Sequence, residues 1–267
     1  MKKLVSAIAF VVMSGLLLTG CGNTKDSAKT TEPAAPATPQ KIVIGLDDTF
    51  APMGFRDEQN NLVGFDVDMA KEAASRLNME VEFKPIDWNS KEVELNSKKV
   101  DALWNGLTIT EERKKNIAFT EPYMANQQII IVPANSSIKT KADLKGKVVG
   151  TQDGSTSVDA IANEPDVQKS FKELKLYGDF SQALMDLQTS RLDAVVIDEV
   201  FGRYYTAKKP GVYTVLTETF GTEDYGVGFR KDDTELLNKV QKTLKDMKAD
   251  GSAAKISEKW FGKNIVK

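Results

Sequence analysis

The 267-residue chain contains no histidine. That absence excludes a Ser-His-Asp triad, a histidine general base and any histidine-ligated metal. Cysteine is nearly absent as well. Cys21 is the only one, so no internal disulfide framework can form. Neither sign of charge is in excess: 36 basic residues stand against 38 acidic ones, for a net charge of −2. No basic stripe runs along the chain, so the electrostatic footprint of nucleic-acid binding is missing. No membrane-spanning or signalling segment is visible before Lys267, which argues against a receptor.

What is present begins with a leader. Lys2 and Lys3 precede an apolar run from Leu4 to Leu18. This reads as a secretory signal over 1–20, too short and wrongly flanked for a membrane span. Its loss would take the net charge from −2 to −4, by the two lysines. It ends in "LTGC", which is similar to a bacterial lipobox with Cys21 as the lipidated first residue. An ordinary cleavage site with an incidental cysteine is the alternative. Residues 21–40 are rich in Thr, Lys, Ala, Pro and Ser, with Pro33, Pro36 and Pro39 three apart. No apolar period is visible there, as expected of a solvated tether that holds a domain away from a bilayer.

Residues 41–267 are long enough for two lobes. "KIVIGLDD" (41–48) reads as a strand. In 65–78 the stripe Val67, Ala70, Ala74 and Leu77 predicts a helix, with Asp66 placed to cap it. "MEVEFKPI" (79–86) alternates as a strand does, 90–97 reads as a short helix, and 100–104 as a buried strand. Strand–helix–strand–helix–strand is the pattern of an α/β sheet with parallel neighbours. The pattern then restarts. "KVVGTQDGST" (147–156) echoes "KIVIGLDDT", and "SRLDAVVID" (190–198) echoes "KKVDALWN" (98–105). Two echoes in the same order predict two lobes of similar build. Near the end, Leu236, Leu237, Val240, Leu244 and Met247 form a helical stripe, followed by "AAKISEKWFG" (253–262).

Six segments together carry a resemblance: "GFDVDMAKEAASRL", "VDALWNGLTITEERKKNIAFTEPY", "DLKGKVVGTQDGST", "RLDAVVIDE", "YGVGFRKDD" and "ADGSAAKISEKWFG". In their joint order, across nearly all of 41–267, they resemble the extracytoplasmic solute-binding proteins of polar amino-acid ABC transporters. The resemblance implies the type II periplasmic-binding-protein fold, two Rossmann-like α/β lobes joined by two hinge strands. Lobe 1 would be 41–124 plus 227–267 and lobe 2 would be 129–220, with hinges near 125–128 and 221–226.

An α-amino acid carries one carboxylate and one ammonium, so its socket needs fixed donors and a fixed anion. Arg113 is the candidate donor, because a guanidinium fork matches a carboxylate. By spacing alone it could equally be a surface arginine pairing with Glu111 or Glu112. The family's "T-I-T-x-x-R" pattern implies the socket. Thr108 offers a hydroxyl and a backbone N–H, and Thr110 reads as a helix cap. "DGSTS" (153–157) lies between a strand and a helix, either as a plain N-cap or as an anion site. The resemblance places Ser155 and Thr156 against the ligand carboxylate. Asp198 follows four apolar residues, at the end of a strand where α/β proteins bind ligands, and suits an ammonium. Asp193 and its counterpart Asp101 read instead as serving the starts of their strands.

Asn105 closes the equivalent strand in lobe 1, either as a donor to the common part of the ligand or as a reader of its side chain. Gly106 lets the backbone approach the ligand closely. Trp104 reads as core. Asp47, Phe50 and Trp88 match positions where the family holds the ligand side chain: an acceptor and two aromatic faces. Asp48 reads as solvated.

The resemblance implies capture of a polar amino acid (arginine or lysine, glutamine, histidine or cystine) by hinge closure, without catalysis or cofactor. The partners would be an ABC transporter permease and, through the lipid, the outer face of the cell membrane, with the protein a monomer. Two other functions fit the same fold: an extracytoplasmic dehydratase of prephenate-like substrates, or an adhesin or sensor module.

Overall fold

A computed structural model describes residues 40–267. The leader read at 1–20, Cys21 and all of the tether except Gln40 lie outside the described residues.

The first half of the chain runs β1 (Gln40–Leu46), β2 (Thr49–Phe50), β3 (Gly54–Arg56), β4 (Leu62–Val63), α1 (Phe65–Arg76), β5 (Met79–Pro85), α2 (Lys91–Asn96), β6 (Ala102–Leu103), β7 (Ile117–Phe119) and β8 (Met124–Pro133). It continues with β9 (Val148–Gln152), α3 (Thr156–Ala162), α4 (Pro165–Ser170), β10 (Glu173–Tyr177), α5 (Phe180–Gln188), β11 (Ala194–Asp198), α6 (Glu199–Lys208), β12 (Tyr213–Tyr225), β13 (Gly228–Arg230), α7 (Thr234–Ala249) and α8 (Ser252–Phe261).

Two five-stranded sheets result, in the orders β5-β1-β6-β13-β7 and β10-β9-β11-β8-β12. The first three strands of each sheet are mutually parallel and the other pairings are antiparallel. This repeated plan accounts for the two sequence echoes. Asp101 Oδ2 accepts from Val43 N at 2.9 Å, and Asp193 Oδ2 accepts from Val148 N at 2.8 Å. Each aspartate therefore ties the start of its strand to the neighbouring strand, as the spacing predicts.

The chain passes between the sheets twice, after β7 and after β12. Those two passages run side by side: Met124 to Gln127 pair antiparallel with Tyr225 to Thr222. A two-stranded ribbon thus joins the lobes.

Helix α1 buries its predicted stripe, with Val67, Ala70 and Ala74 inside and Leu77 packed against the core. Its cap differs from the expectation. Gly64 holds the N-cap position, and Asp66 is the second residue of the helix, within its first turn and fully buried, without capping. Its Oδ2 instead accepts from Gly106 N at 2.7 Å and from Tyr123 Oη at 2.9 Å. The buried strand expected over 100–104 pairs only at Ala102–Leu103, because the following residues bend away into the site. The helix expected after Thr110 is a single 3₁₀ turn, Arg113–Lys115, with Thr110 Oγ1 accepting from Arg113 N at 3.1 Å. Asp48 is ion-paired with Arg56 at 2.8 Å rather than simply solvated. Trp104 lies in the core, as expected.

Candidate ligand-binding site

The carboxyl ends of β1, β6, β9 and β11 point into the space between the lobes. In α/β proteins this is where ligands sit, since loops and helix starts diverge there. A small, largely closed pocket with a free volume of about 10 Å³ lies at this point. Its walls hold all ten residues singled out in the sequence, and one more, Gln152: Asp47, Phe50, Trp88, Asn105, Gly106, Thr108 and Arg113 from the first lobe, Ser155, Thr156 and Asp198 from the second.

Arg113 is 7 % exposed, so it is not the surface arginine that spacing alone allowed. Glu111 and Glu112 pair instead with Lys114 and Lys115. The guanidinium donates to Thr108 O at 2.9 Å and to Gly154 O at 3.0 Å. Two of its five N–H groups are thereby used, and the rest have no protein acceptor among the described residues. Burial lowers its pKa, opposed by the charges of Glu223, Asp159 and Asp198.

Asp198 ends β11 and is 5 % exposed. Its Oδ1 accepts from Asn126 Nδ2 at 2.5 Å, Tyr225 Oη at 2.6 Å and Gln128 Nε2 at 3.1 Å. Its Oδ2 has no protein donor among the described residues. Burial, and then the nearby charge of Glu223, push its pKa up to about 7 despite those donors. A cation placed beside it would offset both effects.

The remaining wall is polar at one end and aromatic at the other. Asp47 Oδ1 accepts from Thr49 N and Oγ1, and its Oδ2 accepts from Gln152 Nε2 at 2.8 Å across the lobes. Burial raises its pKa. Asn105 Oδ1 accepts from Asp47 N at 3.1 Å, while its Nδ2 is buried with no partner among the described residues. Trp88 opens a short 3₁₀ turn capped by the Asp87 side chain. Phe50 packs its ring at 5.4 Å from Phe201 and 6.0 Å from Phe180, both of the second lobe. It therefore contributes to lobe contact as well as to the cavity wall.

Gly106 has a structural reason of its own beside the close ligand approach read from the sequence. Its φ is 58°, a conformation that disfavours side chains, and a Cβ there would stand 2.9 Å from the Phe50 ring. Its N–H is already held by Asp66, so the glycine makes room for protein, not only for ligand.

Sequence reasoning missed Gln152, Asn126, Gln128 and Glu223. Glu223 Oε2 accepts from Thr108 Oγ1, Gln128 Nε2 and Asn126 Nδ2 at 2.8, 2.9 and 3.1 Å. The signal was the polar run "ANQQ" (125–128) inside a buried strand, which a sheet interior tolerates only where side chains find partners.

A cavity closed between two α/β lobes, walled by a buried guanidinium and buried carboxylates, defines a two-lobed solute-binding protein. Residues 42–263 match the bacterial extracellular solute-binding proteins, family 3, and the chain belongs to that family. The histidine-binding periplasmic protein of Salmonella typhimurium is 37 % identical over 84 % of this chain and 89 % of its own length. The L-cystine-binding protein TcyJ of Escherichia coli is 32 % identical over 85 % of this chain and 84 % of its own. An ABC uptake transporter substrate-binding protein from Streptococcus pneumoniae, solved with bound histidine, superposes with a TM-score of 0.83. It is 36 % identical and covers 85 % of this chain and 94 % of its own.

Proposed function

We propose that this protein captures a free polar L-amino acid outside the cell and delivers it to an ABC transporter permease, without chemical change to the ligand. The observation that carries the reading is the wall of one cavity: Arg113 from the first lobe and the donor-free Oδ2 of Asp198 from the second. Arg113, Thr108, Ser155 and Thr156 take the α-carboxylate, and Asp198 takes the α-ammonium. Asp47, Gln152 and Asn105 receive the polar end of the side chain, with Phe50 and Trp88 along its stem. Arginine or lysine, glutamine, histidine and cystine all suit that set of acceptors, donors and aromatic faces. The named relatives, which bind histidine and cystine, support the same class of ligand.

Lobe 1 (41–124 plus 227–267) and lobe 2 (129–220) would turn about the ribbon near 125–128 and 221–226, closing on the ligand. Cys21 carries the lipid that keeps a monomeric protein at the outer face of the membrane. The test is a thermal-shift screen of the common amino acids and cystine. A ligand at a hundred times its dissociation constant adds about 2.7 kcal/mol. A shift with one or a few polar amino acids supports the reading, and no shift with any of them sinks it.

A further inference from the structure

Just outside the cavity a second cation crosses between the lobes. Lys91 opens α2 yet is only 4 % exposed. Its Nζ donates to Gly154 O at 2.8 Å and to Trp88 O at 3.2 Å, and stands 5.4 Å from the centre of the Trp88 ring. The Gly154 carbonyl is the same one that Arg113 reaches at 3.0 Å. Beside it, Asn89 Nδ2 donates to Asp153 Oδ2 at 2.9 Å. Gly154 has a φ of 70°, and a Cβ built on it would stand 2.7 Å from Asn89 Cα. The 153–155 turn of the second lobe therefore lies directly on the 88–91 turn of the first.

Lys91 is an expensive way to fill this space. No carboxylate hydrogen-bonds it among the described residues. Arg113 repels it, and Glu92, Asp159 and Asp153 attract it only at longer range. A buried ammonium held by carbonyls alone costs stability, and an apolar side chain would pack there more cheaply. What an apolar side chain cannot do is grip a carbonyl on the opposite lobe.

We propose that Lys91 is a positioning residue that latches the second lobe's anion-binding turn onto the first. By holding Gly154 O it fixes Ser155 and Thr156 over the cavity, and it does so without touching the ligand, whose cavity it does not line. This rests on the amino-acid-binding reading above. The latch acts on how long the lobes stay closed, so it affects every ligand alike.

The experiment uses the full mature protein and at least three amino acids that bind the wild type. Association and dissociation are followed by stopped-flow tryptophan fluorescence. Lys91→Met keeps an unbranched side chain of similar length and removes the donor. Losing a charged hydrogen bond of this kind should speed dissociation about ten- to hundredfold. The factor should be the same for each amino acid, with association rates and the order of preference unchanged. Lys91→Arg, which keeps a donor, should recover most of the loss. Gly154→Ala, which obstructs the approach from the other side, should also speed dissociation uniformly. It serves as the deciding variant if the methionine protein does not fold. Unchanged dissociation in Lys91→Met, or in Gly154→Ala where that variant decides, overturns the proposal. So does a changed order of preference, since that would mean Lys91 reads the ligand. A wild type that binds no amino acid sinks the earlier reading instead, and is distinguished by that result alone.

Discussion

Arg113 and Asp198 are the two charges on which the binding reading turns, and both are more than nine-tenths buried. Breaking one member of a buried pair typically costs about 3–5 kcal/mol. Each alanine variant should therefore lose roughly two to three and a half decades of affinity. Arg113→Ala should weaken amino acids far more than their carboxamides, and Asp198→Ala should weaken amino acids far more than their deaminated analogues. Calorimetric titration with the three ligand types checks this. Free amino acid bound as tightly as by the wild type in both variants would place the socket elsewhere. At this scale Arg113 was half legible. Its residue type and the strand before it suggest an anion site, but spacing alone left a surface ion pair equally open. Burial excludes the surface ion pair, and burial is set by lobe contacts that no local window contains. Asp66 shows the converse. Its position one residue into a helix reads as a cap, yet the fold turns it inward onto Gly106 and Tyr123.

At the scale of elements, the repeated β1–β6 and β9–β11 units use the same device: an aspartate at the start of one strand holds a backbone N–H of its neighbour. Asp193→Ala should cost about 1–3 kcal/mol, the usual penalty of leaving such a donor unpaired. Asp101→Ala should cost more, because Asp101 also accepts from Arg230 at 3.1 Å, and Arg230 is largely buried. Urea denaturation of the two variants gives the comparison. Equal losses would show that the Arg230 contact adds nothing. This repeat was readable beforehand because strand periodicity and the Asp–apolar spacing are local properties. The order of strands was not. The fourth strand of each sheet comes from beyond the local unit, β13 in one and β8 in the other, and only long-range pairing selects it.

For the whole molecule, two buried acids and one buried lysine set a pH dependence. Burial pushes Asp66 and Asp198 up to about 7 from an ordinary value of 3.8. Between those values the folded protein holds more protons than the unfolded chain, so their contribution makes stability fall as pH rises from about 4 to about 7. Lys91 runs the other way. Burial, then the charge of Arg113, lowers it to about 7 from 10.5, so the unfolded chain holds the extra proton and stability rises above pH 7. Thermal melts of the ligand-free protein should show Asp66→Asn with a flatter loss between pH 5 and 7 than the wild type. An unchanged slope would mean that Asp66 does not titrate there. At the same scale, Cys21→Ala should move the protein from the membrane fraction to the medium, read by fractionation and immunoblot. Retention in the membrane would remove the lipid anchor from the proposal.

The linear sequence determined the two-lobed α/β plan, the paired strand units and the residue types at the strand ends. Each of these follows from periodicity and from chemistry within a few residues. Tertiary structure decided which side chains share one cavity. Gln152 meets Asp47 across 105 residues of chain, and Thr108 meets Glu223 across 115. The first pair forms only when the lobes meet, and the second only when the ribbon itself lies against Thr108, because polar groups removed from water must find partners wherever the fold supplies them.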